Sequence, residues 1–261
     1  MSMVATNDGV GLHVFDGGKR DGPTVVLVAG YGASATSWSL QRDALKDSFR
    51  VIMIDRRCHG RSEKVAHGQR VARHGADLAN VFEALELDDV LLVGSSMGAS
   101  TSLAYLDLFG SARLRGVVLV DQTPKMLNED GWDLGYYGLD RQSLDSFIST
   151  FPPPDANPFH TLPAPDALAL MSDGTQFSID DTRALLRNHA EADWRDVVAR
   201  IEVPLTAMAG RHSPLWPCES SEWMAQTAPL GRSVVLEGSG HVPFLEDPEA
   251  FNAALLVAAR A

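Results

Sequence analysis

Residues Val90–Ser100 read VLLVGSSMGAS: a short apolar run, then Gly94-Ser95-Ser96-Met97-Gly98, then the start of a helical pattern that continues to Leu108. A G-x-S-x-G between a buried strand and a helix makes a sharp turn. The turn holds its central residue in a strained backbone conformation with the side chain exposed, and it needs small residues two positions before and after. The bare pattern also occurs as a glycine-rich packing turn. Flanked by strand and helix, it makes Ser96 a candidate nucleophile.

Outward from this turn, short β-branched runs alternate with longer helical patterns. TVVLVAG (24–30), RVIMID (50–55), VLLVG (90–94), LRGVVLVD (114–121), PLTAMAG (204–210) and RSVVLEG (232–238) are continuously apolar or nearly so. Such runs fit strands covered on both faces, as in a parallel sheet. Helices are expected over 35–47, 69–87, 97–108 and 248–259, which gives a doubly wound α/β domain. The opening VAT and LHVF, separated by NDGVG, predict a hairpin at the sheet edge. Residues 122–203 break the rhythm: they hold no good strand, but have helical pieces near 141–150, 165–171, 180–189 and 193–201. A long aromatic-rich connection of this kind predicts a helical lid inserted into a core made of 1–121 and 204–261.

The 261 residues suit one domain that buries roughly 70–75% of its unfolded surface. A formal charge of −12 with no Lys/Arg-rich block argues against nucleic acid as a partner. Cys58 and Cys218 make neither a disulfide framework nor a metal-ligand pattern, and a reducing cytoplasm is the expected compartment. No apolar run at the start is long enough for a signal peptide or a membrane span. No cofactor or metal is called for, and either a monomer or a homodimer fits.

A serine hydroxyl needs a base. LEGSGHVPFLEDPEAF (236–251) supplies His241 on a glycine turn after the last strand, before a Pro-Glu helix start. His13 falls in a strand, and His67, His74 and His189 on helical patterns read as solvated.

Four motifs in this order resemble the α/β-hydrolase superfamily over nearly the whole chain. They are Ala29-Gly30-Tyr31-Gly32, Asp55-Arg56-Arg57-Cys58-His59-Gly60-Arg61-Ser62 (the D-x-R-G-x-G-x-S loop), Ser96 in its elbow, and His241. The resemblance implies an oxyanion hole built from the backbone N–H groups of Tyr31 and Met97, and a fold-stabilising role for the Asp55–Ser62 loop. Ala29, Cys58 and Ala99 depart from the family pattern without removing a backbone donor. A larger departure is Ser213, which stands where most relatives keep the triad aspartate. A minority carry the acid at the end of the strand that follows the nucleophile's unit. Here that position is Asp121, in VLVDQTP (118–124), whose bland reading is a turn cap. Glu219 and Glu222 are fallback acids. Trp132, Tyr137 and Trp194 are candidates to wall a substrate pocket.

Three rivals remain open. Gly30-Tyr31-Gly32-Ala33-Ser34-Ala35 after a strand, with Asp55 closing the next one, imitates the fingerprint of an NAD(P)-dependent oxidoreductase. Some members of the resembled family are cofactor-independent dioxygenases that deprotonate a quinolone-like heterocycle with a His-Asp dyad. A purely binding role for the scaffold is the third. The expected function is cleavage of a carboxylic ester or lactone of a small to medium apolar substrate through an acyl-enzyme.

Overall fold

A computed structural model of the chain describes residues 2–152, 157, 159–162, 169–172 and 174–260. The strand that precedes the elbow, β5 (Val90–Ser95), lies in the middle of an eight-stranded sheet. It pairs in parallel with β3 (Thr24–Val28) on one side and β6 (Leu114–Val120) on the other, with Gly94 in register with Val28 and Leu119. The full order is β1-β2-β4-β3-β5-β6-β7-β8. β4 is Arg50–Ile54, β7 Leu205–Gly210 and β8 Gly231–Leu236. β1 (Ser2–Ala5) and β2 (Gly11–Gly18) form the expected antiparallel edge hairpin.

Alternation along β5 explains the two layers: Leu92 points into one apolar cluster, Leu91 and Val93 into the other. Helices α2 (Val71–Ala84) and α3 (Met97–Phe109) cover the first face. The second is covered by α1 (Ser39–Leu45), with the 3₁₀ turn Ala35–Trp38 before it, and by the C-terminal helix Pro248–Arg260. The chain leaves β3 toward β4 and comes back through β5 on the other side of β3. The loops after β3 and β5 therefore diverge at a topological switch point, where α/β sheets form their crevices.

Between β6 and β7 the structure has helices Leu144–Thr150, Ile179–Glu191 and Arg195–Ala199. The helix expected at 165–171 lies largely outside the described residues. A third apolar cluster, with Met126, Leu139, Leu144, Ile148, Leu185 and Leu186, packs this insertion onto Val71 of α2 and Met97 and Ala104 of α3.

Two sequence expectations are corrected. Glu219 and Glu222 begin a helix, Glu219–Thr227, where acidic residues complement the positive end of the helix dipole. His74 and His189 are not solvated but 1% and 5% exposed, on the inward faces of their helices. Among the described residues no helix is long and apolar enough to cross a membrane.

Candidate active site

Ser96 links β5 to α3 with φ 53° and ψ −127°, a conformation rarely tolerated by a residue with a Cβ. The two glycines of the motif make it possible. A Cβ on Gly98 would lie 2.2 Å from Val28 O, and one on Gly94 would lie 2.4 Å from Gly98 O. The strand therefore runs close under the helix start, and Ser96 is lifted to the crevice. Ser96 N–H is anchored to Val120 O at 2.9 Å, on the strand that delivers the next candidate residue.

That residue is Asp121, 1% exposed and itself at φ 42°. Its N–H donates to Met208 O of β7 at 2.7 Å, which fixes the turn at the strand end. The carboxylate is fully engaged. Oδ1 accepts from Gly210 N–H at 3.0 Å. Oδ2 accepts from Ser213 Oγ at 2.7 Å and faces His241 Nδ1 at 2.6 Å. A carboxylate can only accept, so His241 Nδ1 carries the proton and Nε2 keeps its lone pair, the arrangement a general base needs. Glu219 and Glu222 are exposed on their own helix, and the partner of His241 is Asp121.

The sequence reading missed how the histidine loop is held. Glu246 Oε1 accepts from Gly240 N–H at 3.0 Å and Val242 N–H at 3.3 Å. Its Oε2 accepts from His160 N–H at 2.7 Å and Thr161 N–H at 2.9 Å. One carboxylate thus ties both neighbours of His241 to the insertion. Gly210 is needed for closeness as well, because a Cβ there would meet Gly240 O at 1.9 Å. Acidic residues near a helix start read as caps in a sequence, so nothing local singles out Glu246.

Ser96 and His241 both border a cavity of about 610 Å³ together with Gly30 and Tyr31. Its walls are apolar: Tyr136, Phe151, Met171, Leu215 and Phe244 among others. No described lining residue is a lysine or arginine. Neither the Tyr31 nor the Met97 N–H has a hydrogen-bond acceptor among the described residues, and Met97 opens α3, where N–H groups point out of the helix.

None of the three aromatic candidates lines this cavity. Trp132 is buried within the insertion: its Nε1 donates to Lys125 O at 3.1 Å, its ring meets Trp223 edge-on at 5.1 Å, and Arg195 lies 5.0 Å over its face. Tyr137 is 54% exposed and does not border the cavity, while its neighbour Tyr136 does. Trp194 packs against the apolar clusters.

The dinucleotide reading of 30–35 conflicts with the surroundings of Asp55. This carboxylate is 1% exposed and accepts from Ala35 N–H at 2.6 Å and Arg61 N–H at 3.0 Å, with His13 Nδ1 at 2.8 Å. The carboxylate is buried on these three donors within the fold rather than presented to a ribose. Among the described residues no group of three or more His, Cys, Asp or Glu is arranged to hold a metal ion.

Comparison with known proteins gives relatives along the whole chain. The 3-oxoadipate enol-lactonase 1 of Acinetobacter baylyi is 27% identical over 258 residues, covering 95% of this chain and 93% of its own. The bifunctional esterase/perhydrolase of Acinetobacter calcoaceticus is 26% identical, covering 98% of each chain. Among solved structures, an esterase from Exiguobacterium antarcticum superposes with a TM-score of 0.87 at 26% identity, over 100% of this chain and 99% of its own. The family model described as "Alpha/beta hydrolase family" matches residues 25–254, and the chain, which has that fold, belongs to the alpha/beta hydrolase family.

Proposed function

We propose that the protein is a serine hydrolase that cleaves a neutral carboxylic ester or lactone through an acyl-enzyme. The observation that carries this reading is the 2.6 Å contact of His241 Nδ1 with buried Asp121, at one end of the cavity onto which strained Ser96 opens. Ser96 Oγ attacks the carbonyl carbon while His241 Nε2 takes its proton. Asp121 holds the imidazole in the required tautomer and stabilises its protonated form. The N–H groups of Tyr31 and Met97 receive the oxyanion, each worth about 3 kcal/mol to the transition state. Collapse of the tetrahedral intermediate expels the alcohol, which takes the proton from His241. Water, activated by the same histidine, then releases the acid and restores Ser96.

The cavity's chemistry narrows the substrate. Apolar walls without a cation favour neutral acyl and alcohol groups and disfavour a free carboxylate. The insertion, residues 122–203, is the lid of this reading and contributes Tyr136, Phe151 and Met171 to the wall. Labelling with a fluorophosphonate, followed by a panel of p-nitrophenyl esters and lactones, tests it. Labelling and turnover should both vanish in Ser96→Ala and persist in Ser95→Ala. Label retained in Ser96→Ala would remove the nucleophile. Oxygen uptake with a quinolone-like substrate, without ester turnover, would favour the dioxygenase instead.

The esterase/perhydrolase named among the relatives supports a second reading of the same site. Hydrogen peroxide in place of water would attack the acyl-enzyme and release a peracid, leaving Ser96 free. Peracid formation from a short-chain ester and hydrogen peroxide, absent in Ser96→Ala, is its test.

A further inference from the structure

The loop after β4 carries two adjacent arginines in opposite electrostatic settings. Arg57 is paired: its Nε and Nη2 donate to Asp77 at 2.9 Å each, and Nη2 also donates to Asp8 at 2.9 Å. Arg56 is equally buried, 3% exposed, yet none of its partners is a carboxylate. Nε donates to Ala29 O at 2.9 Å. Nη2 donates to Gly30 O at 2.7 Å and to His59 Nε2 at 3.0 Å, and Nη1 donates to His74 Nδ1 at 3.1 Å.

A guanidinium has only donors, so both imidazoles must present lone pairs. His59 does so, because its Nδ1 already donates to Arg57 O at 2.8 Å. Burial, reinforced by the Arg56 charge, holds both histidines well below their usual pKa and hence neutral. Burial pulls Arg56 itself down to about 9, still cationic at neutral pH. An unpaired buried cation costs stability, which calls for a reason to keep it. Its two carbonyl partners belong to the loop that carries the Tyr31 amide.

We propose that Arg56 is a positioning residue for catalysis, aiming and polarising the Tyr31 N–H through the Gly30–Tyr31 peptide. The inference rests on the reading that this N–H receives the oxyanion. The peptide is trans, so its C=O and N–H point in opposite directions. With Gly30 O tied to the guanidinium, the N–H faces away from Arg56, and Gly30, Tyr31 and Ser96 border one cavity. The approach is close: a Cβ on Gly30 would lie 3.1 Å from Ser96 Cβ and 3.6 Å from its Oγ. A cation on the carbonyl draws electron density through the amide and strengthens the N–H as a donor. Holding Ala29 O as well fixes two successive carbonyls, so the loop cannot rotate its amide out of line. Arg56 touches no reacting atom in this scheme; it acts through one peptide.

The test compares Arg56→Lys, Arg56→Met and Arg56→Ala with the parent on a p-nitrophenyl ester. Lysine keeps a charge but cannot hold both carbonyls, and methionine removes the charge. In folded variants kcat should fall about 10²-fold, the scale of losing one oxyanion donor, with KM within a few-fold of the parent. Affinity for a trifluoromethyl ketone, which forms a tetrahedral adduct, should fall in step, while affinity for the product acid should not. Millimolar guanidinium should restore part of the rate in Arg56→Ala and none in Ser96→Ala. A folded Arg56→Lys with parental kcat and ketone affinity would overturn the inference and leave the hydrolase reading standing. If the parent shows neither labelling at Ser96 nor ester turnover, both are overturned.

Discussion

Ser213 and Asp121 are joined by a 2.7 Å hydrogen bond to Oδ2, the same carboxylate oxygen that faces His241 Nδ1. By the family resemblance Ser213 stands at the position expected for the acid, and here its hydroxyl donates to Asp121 instead. With Gly210 N–H on Oδ1, three donors surround a group with no exposure to water. That many donors hold the carboxylate in a single rotamer.

The first prediction concerns this pair. Asp121→Asn should fold and lose about 10⁴-fold in kcat, because the amide favours the wrong imidazole tautomer and cannot stabilise the imidazolium. Ser213→Ala should cost about tenfold, since a hydrogen bond to a charged group is worth about 1.5 kcal/mol or more. Ser213→Asp alone should do worse than Ser213→Ala by forcing two carboxylates together. The double variant Asp121→Asn with Ser213→Asp should recover part of the rate. Steady-state kinetics on one ester read all four, and near-parental turnover in folded Asp121→Asn would make Asp121 a turn residue.

A second prediction follows from the elbow. Gly98→Ala would drive a Cβ to 2.2 Å from Val28 O, against backbone that cannot yield without separating β3 from α3. Urea unfolding should show a loss of at least about 3 kcal/mol, the upper end for overpacking. Ala99→Gly, on the same helix but without that contact, should lose only about 1 kcal/mol.

A third concerns acid. His59, His74 and His189 are buried and neutral, with His189 pulled down to about 3 by desolvation. Their folded pKa values lie below the unfolded value near 6.5, so below that pH the unfolded chain binds more protons and stability falls. The slope approaches about 1.4 kcal/mol per pH unit per histidine once the unfolded rings are protonated. Urea midpoints should therefore drop between pH 7 and 5, above the carboxylate range, and His189→Gln should reduce the dependence by about one proton. A flat profile over that interval would mean that the rings are solvated in the folded state.

How much the sequence revealed depends on how local each signal is. The elbow and the His241 turn are short patterns whose glycines have one structural meaning, and the strand runs are apolar enough to give the sheet. Asp121 needed a non-local clue, the empty position at Ser213. The D-x-R-G-x-G-x-S pattern sets Arg57 apart from Arg56, but only the fold shows that Arg57 meets Asp8 and Asp77 while Arg56 meets two carbonyls. The helix Glu219–Thr227 was hidden by a mostly polar stretch, with only part of one face buried. Neither could the walls be read. In an insertion rich in aromatic residues, which ring fills the interior and which faces the cavity depends on packing between helices far apart in sequence.

The last prediction separates those two kinds of ring. Tyr136 and Phe151 line the cavity, and their rings both pack against Phe147, at 4.9 and 5.4 Å. Removing either enlarges the space beside Ser96, so Phe151→Ala and Tyr136→Ala should shift the preferred acyl chain upward while fluorophosphonate labelling stays near parental. Trp132 lies away from the cavity and holds the insertion through Lys125 O and Trp223, so Trp132→Ala should lower stability by about 3 kcal/mol and leave the chain-length order intact. A p-nitrophenyl ester series from acetate to decanoate, with a urea curve for each variant, reads both effects. Introducing a cation, as Leu215→Arg, should raise activity toward an acyl group bearing a terminal carboxylate relative to its methyl ester. Unchanged discrimination in that variant, alongside an unaltered chain-length profile in Phe151→Ala, would show that substrate is chosen outside this cavity.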